Sequence, residues 1–154
     1  TGLLGGTRAW ASSDLPLSNE FVEVEAGTAP EFDAPLFEAV DAFIKSIPEG
    51  YWVTRADGLN TALIEEPPVL VDVRTSGEFE DGAIPTAVNI PLNELLARFD
   101  EWPEDTSTPI VFYGSTSHRG ALAMSLAQML GYENASSLGG GTGAWTGAGL
   151  SLSN

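Results

Sequence analysis

Apolar positions along the chain change their period twice, and each change marks a different kind of element. Over residues 14–41 the chain is polar and punctuated, with eight acidic residues, no basic one, and prolines at 16, 30 and 35, the composition of a solvated linker. Within it "FVEVE" (Phe21 to Glu25) alternates as a short edge strand does. From Asp33, placed as an N-cap, Leu36, Phe37, Val40, Phe43, Ile44 and Ile47 recur at helical spacing until Pro48 and Gly50 stop them; the spacing predicts a helix with one buried face. "YWVT" (51–54) predicts a short strand and "RADGLNTALIEE" a helix ended by Pro67 and Pro68.

After those prolines, short apolar runs alternate with helical segments. "VLVDVR" (69–74) is apolar at nearly every position until its end, as a strand covered on both faces is. Thr75 and Glu78 stand at capping-box spacing and open a short helix, "SGEFEDG". "AIPTAVNIP" (83–91) predicts a turn and a strand, "LNELLARF" a helix, and "PIVFY" (109–113) a central strand. "RGALAMSLAQML" predicts a helix capped by Gly131, with Met124 and Met129 filling the core; "NASSL" is a last strand and "GAWTGAGL" a closing helix. This alternation predicts an α/β domain with a central parallel sheet, right-handed crossovers, and helices on both faces. Ligands in such sheets bind at the carboxyl ends of the strands, where residues 113–119 fall.

The chain also repeats itself. Shifted by 135 residues, "GGTRAWASSDLPLSN" (Gly5 to Asn19) lies on "GGTGAWTGAGLSLSN" (Gly140 to Asn154) with nine identities in fifteen, Trp10, Leu15 and Leu17 among them. The expected organisation is therefore the tail of one domain (1–19), an acidic linker with an amphipathic helix (20–50), and a second domain (51–154). Trp10 and Trp145 are expected to pack within these closing segments rather than to stack on a ligand.

Composition narrows the function. Acidic residues number 22 against 6 basic, a formal charge of −16, so nucleic-acid phosphates and anionic membranes are repelled. Such a surface suits an extracellular or cell-surface protein, or one from a salty environment, with an ordinary acidic cytoplasmic protein as the alternative. No run of membrane length and no basic-then-apolar leader occurs, and the opening "TGLLGGTRAW" reads as a mature or excised piece. Cysteine is absent, which removes disulfides, thiolate metal ligands and every thiol mechanism. No metal site and no cofactor are expected.

The segments "LVDVRTSGEFEDGAIPTAVNIPLNEL", "PIVFYGSTSHRGALA" and "LGYENASSLGGGTGAWTGAGL" resemble, in order, the successive signatures of the rhodanese-like family. These are a strand ending Asp-Val-Arg, a Gly-x-Ile-Pro-x-Ala turn, a loop from the central strand to an arginine, and a Gly-Gly-x-x-Ala-Trp closing segment; residues 1–19 resemble the last of these, from a preceding copy. The resemblance implies a rhodanese-like fold of about five parallel strands and a tandem arrangement in which often only one module is active. It also implies a chemistry: a cysteine at the start of a six-residue loop carries sulfane sulfur as a persulfide to a thiol or cyanide acceptor, its charge stabilised by loop amides and a helix N-terminus.

With Arg119 on the family arginine, the nucleophile position is Gly114. The loop Gly114, Ser115, Thr116, Ser117, His118, Arg119 is thus degenerate, and no catalytic residue is assigned. The hydroxyls of Ser115, Thr116 and Ser117 are chemically possible nucleophiles, yet oxygen cannot hold a transferable persulfide sulfur. His118 could act as a base in a hydrolytic variant, or it is a surface residue. Ser117 replaces a family glycine; if the turn demands positive φ there, it costs about 1 kcal/mol. Ser115 to Gly120 could still bind a small anion through amides and the Arg119 guanidinium, or Arg119 braces the loop by pairing with Asp72 or another acid. Asp72 with Arg74 reads as a structural salt bridge. Two functions follow: a noncatalytic rhodanese-like module for structure, interaction or assembly, its partners being other proteins or copies of itself, arranged head to tail through residues 1–19; or the inactive half of a sulfurtransferase whose other module carries the cysteine.

Overall fold

The computed structural model describes residues 6–20, 23, 27, 31 and 33–153. The chain divides into two compact units, Thr1–Ala34 and Pro35–Asn154. In the first, helix α1 (Gly6–Ser12) is followed by a turn in which Trp10 Nε1 donates to the Pro16 carbonyl at 2.9 Å. The strand expected over "FVEVE" rests on Phe21, Val22, Val24 and Glu25, which lie outside the described residues.

Helix α2 (Ala34–Ser46) begins directly after Asp33 and, from Pro35 on, belongs to the second unit. The expectation of a buried face is corrected here: no residue of α2 is buried, and Val40 and Phe43 are half-buried at most. From its apolar stripe Phe43 reaches the residues before the first strand and stacks on Trp52, with ring centroids 6.0 Å apart. Strand β1 is only Val53–Thr54, because Tyr51 and Trp52 both turn left-handed (φ 52° and 50°) before the chain can extend. Helix α3 (Ala56–Glu65), β2 (Val69–Asp72), α4 (Ser76–Glu80), β3 (Val88–Asn89), β4 (Ile110–Tyr113), α5 (Ser117–Met129), β5 (Ala135–Leu138) and α6 (Gly141–Gly147) follow. Where "LNELLARF" predicts an α-helix, two 3₁₀ turns stand instead, Leu92–Glu94 and Phe99–Glu101. The segment is pinned by packing rather than by its own ladder: Leu95 and Trp102 are buried, and Glu94 N–H closes an i→i−3 bond to Pro91 at 2.7 Å.

The five strands form one parallel sheet in the order β1-β5-β4-β2-β3, with β4 at its centre. Alternation along β4 sends side chains to two cores. Ile110 and Phe112 join Ala123, Met124 and Ala127 of α5, with Leu95 and Trp102, on one face; Val111 and Tyr113 join Leu59 of α3 and Trp145 of α6 on the other. Met124 is core as expected, whereas Met129 is a correction, nearly half exposed at the end of α5. Gly131 takes the left-handed cap position (φ 94°) that ends α5.

Candidate functional site

The loop between β4 and α5 lies at the carboxyl end of the central strand. Tyr113 is fully buried and its hydroxyl accepts the Ile84 N–H at 3.1 Å; burial, then the carboxylate of Asp72, pushes its pKa up. The strand therefore ends on a fixed point. Gly114, Ser115 and Thr116 cross to α5, with Thr116 as extended N-cap residue and Ser117 as first helical residue. Ser117 does not have positive φ, so the strain foreseen for a side chain there is absent; instead its Oγ accepts the Gly140 N–H at 2.9 Å.

The loop is held from behind by α6. Thr142 N–H donates to the Gly114 carbonyl at 2.9 Å and Gly143 N–H to the Ser115 carbonyl at 3.2 Å. This approach is so close that a Cβ on Gly141, which has φ +57°, would stand 2.1 Å from the Gly114 oxygen. Only glycine fits.

In front of the loop sits a carboxylate. Arg119 donates through Nη1 and Nη2 to both oxygens of Glu78, at 2.8 and 2.7 Å, and through Nη2 to Ser115 Oγ at 2.8 Å; Ser115 Oγ in turn donates to Glu78 at 2.7 Å. Glu78 is oriented by the Thr75–Glu78 capping box that starts α4. The Arg119 guanidinium, helped by Ser115 and Thr75 against partial desolvation, holds the Glu78 carboxyl far below the usual carboxylate range, and Glu78 correspondingly raises Arg119. Both side chains are about one-third exposed (33% and 35%), so the cluster faces solvent. Thr116 Oγ1 and His118 Nδ1 lie 3.1 Å apart on the exposed side of the loop, away from this cluster's hydrogen bonds.

Asp72 and Arg74 are separate from it. Arg74 donates from Nε and Nη2 to Asp72, at 2.6 Å for the shortest contact, and from Nη2 to the Gly82 carbonyl at 2.7 Å; both side chains are buried. The pair ties the end of β2 to the turn before Ile84. Arg119 is thus paired with an acid other than Asp72. Sequence reasoning used Glu78 only as a capping residue; the signal for its second role was its place just past the end of β2, beside the strand that carries the loop.

Gly114 itself has room for little. A Cβ there would meet Arg119 Cβ at 3.1 Å, the Thr116 carbonyl oxygen at 3.4 Å and Arg119 Nε at 3.5 Å, so Arg119 must give by a few tenths of an ångström to admit it. Among the described residues no group of three or more histidine, aspartate or glutamate side chains could hold a metal, and no helix is long and apolar enough to cross a membrane.

Comparison with known proteins agrees with the fold. Residues 56–148 match the rhodanese-like domain profile. A sulfurtransferase of Allochromatium vinosum is 33% identical over 87 residues, 56% of this chain and 79% of that protein. An adenylyltransferase and sulfurtransferase of Drosophila ananassae is 44% identical over 52 residues, but the match spans 30% of this chain and only 12% of the larger protein. Among solved structures, the rhodanese-like domain of an Anabaena protein superposes with a TM-score of 0.61 at 28% identity, covering 67% of this chain and 79% of that one. With its five-stranded parallel sheet, its strand-to-helix loop and this match over most of its second unit, the chain belongs to the rhodanese-like domain family, whose relatives include sulfurtransferases.

Proposed function

We propose that this chain is a noncatalytic rhodanese-like module that serves structure, interaction or assembly within a tandem protein. One observation carries the reading: cysteine is absent from all 154 residues, and the loop position that would bear the sulfur is Gly114. A relay of sulfane sulfur needs an atom that attacks the donor and is then attacked by the acceptor, and backbone alone supplies none. The Glu78 carboxylate on Arg119 supports the same reading, since an incoming thiosulfate or other anion must displace a bidentate internal partner. Residual anion binding at Ser115 to Gly120 is accordingly weak.

The alternative is that the chain is the inactive half of a sulfurtransferase whose other module holds the cysteine. The repeat of residues 5–19 on 140–154 favours a neighbouring module of some kind; a cysteine in that module's matching loop would select this alternative. The acidic surface supports an extracellular or cell-surface setting over a cytoplasmic one.

The purified chain is expected to show no thiosulfate:cyanide sulfurtransfer and no mass gain of one sulfur after incubation with thiosulfate. Turnover above buffer, or a sulfur-loaded species, overturns the proposal. Gly114→Cys is expected to acquire the sulfur adduct, because the contact with Arg119 Cβ is marginal rather than prohibitive.

A further inference from the structure

The two halves of the sequence repeat share more than letters. Helix α1 (Gly6–Ser12) and α6 (Gly141–Gly147) occupy the same seven positions of the repeat. Gly6 and Gly141 both have φ +57°, and Asp14 repeats the positive φ of Gly149. Trp10 Nε1 donates to Pro16 O at 2.9 Å as Trp145 Nε1 donates to Ser151 O at 3.0 Å, six residues on in each case. Each helix also ends on the same pair of turns, Ser13 N–H to Trp10 O and Asp14 N–H to Ala11 O in one, Ala148 to Trp145 and Gly149 to Thr146 in the other.

In α6 these features have visible causes. The left-handed Gly141 admits the Gly114 carbonyl, Trp145 is buried, Leu150 and Leu152 pack on the Trp145 core, and Ser153 exchanges two 2.8 Å hydrogen bonds with Ala83. In the first copy the conformation is present without its cause. Among the described residues nothing lies within 4 Å of where a Gly6 Cβ would stand, and Trp10, Leu15 and Leu17, the counterparts of Trp145, Leu150 and Leu152, are 38%, 43% and 63% exposed.

We infer that residues 6–19 are a docking element whose occupant is the core of a second rhodanese-like copy lying upstream in the same polypeptide, bound as α6 and residues 148–153 bind the core of this one. The reading rests on the tandem arrangement proposed above and not on the loss of sulfur chemistry. The seat it requires is specific: two loop carbonyls like those of Gly114 and Ser115 to accept the N–H groups of Thr7 and Arg8, a slot for an indole, and a backbone position like Ala83 that can exchange a bridge pair of hydrogen bonds with Ser18. Two of the six differences between the copies add a side chain where that seat has space. At Gly143, the counterpart of Arg8, a Cβ would meet only the Ser115 oxygen at 3.4 Å; at Gly147, the counterpart of Ser12, it would meet nothing.

The test transplants the first copy onto the second in the full chain, by Gly143→Arg, Thr146→Ala, Gly147→Ser, Ala148→Ser, Gly149→Asp and Ser151→Pro together. The transplanted protein should fold, keep its Trp145 emission blue-shifted, and melt within about 5 °C of wild type; adding Trp145→Ala should then cost as much as it does in wild type. A second protein, carrying residues 20–139 ahead of Gly5, should give two protease-resistant units with Trp10 shielded. An unfolded transplant combined with digestion of the upstream unit overturns the inference, because residues 5–19 then close no core. Concentration-dependent dimerisation of the wild-type chain that shields Trp10 also overturns it, since the occupant would be a second molecule. Neither result bears on whether Gly114 can carry sulfur.

Discussion

At the scale of single residues, Glu78 decides what the loop can do. Its carboxylate takes both terminal nitrogens of Arg119 and the Ser115 hydroxyl, so the groups that would meet an anion are already satisfied. Glu78→Gln is expected to tighten sulfate binding about tenfold, the worth of one freed charge-assisted hydrogen bond, read by calorimetry or by sulfate-dependent melting. The same substitution should destabilise the fold by only about 1 kcal/mol, because the pair is one-third exposed and screened. The pH dependence has a definite sign. Glu78 has a depressed folded-state pKa, so its contribution is full above the ordinary value of 4.5 and is lost as pH falls below it. The stability gap between wild type and Glu78→Gln should therefore narrow from neutral pH to about pH 3, and a gap that widens would contradict the pairing. That residue 114 is a glycine, and that cysteine is absent, is read directly from the sequence and needs no geometry. The partner of Arg119 was not legible there, because Glu78 is 41 residues away and its spacing to Thr75 already had a local explanation.

Among elements, the contact of α6 with the loop carries the most consequence. Two N–H groups at the start of α6 end on the carbonyls of Gly114 and Ser115, and the left-handed Gly141 makes the approach possible. Gly141→Ala is expected to cost more than about 3 kcal/mol, since it adds a steric overlap to an unfavourable φ. Gly6→Ala, with the same φ and open space, should cost about 1 kcal/mol at most and leave the melting of the Trp145 core unchanged. Near-UV dichroism of the two variants separates these outcomes. The elements that the sequence announced best are those whose period is decided locally: β2, β4, β5 and α5 each fall within a residue or two of their expected bounds. Residues 92–101 escaped, because buried Leu95 and Trp102 set their path through contacts with distant residues. The exposed stripe of α2 escaped for the converse reason: helical spacing announces an apolar face but not how much neighbouring surface there is to cover it.

For the whole molecule, charge is the governing quantity. In Pro35–Asn154 every lysine and arginine, Lys45, Arg55, Arg74, Arg98 and Arg119, is already paired with a carboxylate, so the remaining acids of a chain with net charge −16 have no such partner to offset them. Screening that repulsion should raise the melting temperature by about 5 °C or more between low salt and roughly 1 M sodium chloride, and a fall would show that the ion pairs matter more than the excess. The same salt removes the repulsion that keeps molecules apart, and here the outline of the sheet matters. Its two outermost strands, Val53–Thr54 and Val88–Asn89, are each two residues long. A neighbour seeking to extend this sheet finds almost no unpaired backbone to copy at either edge, so brine can quiet the charges of this protein without opening that route to fibres.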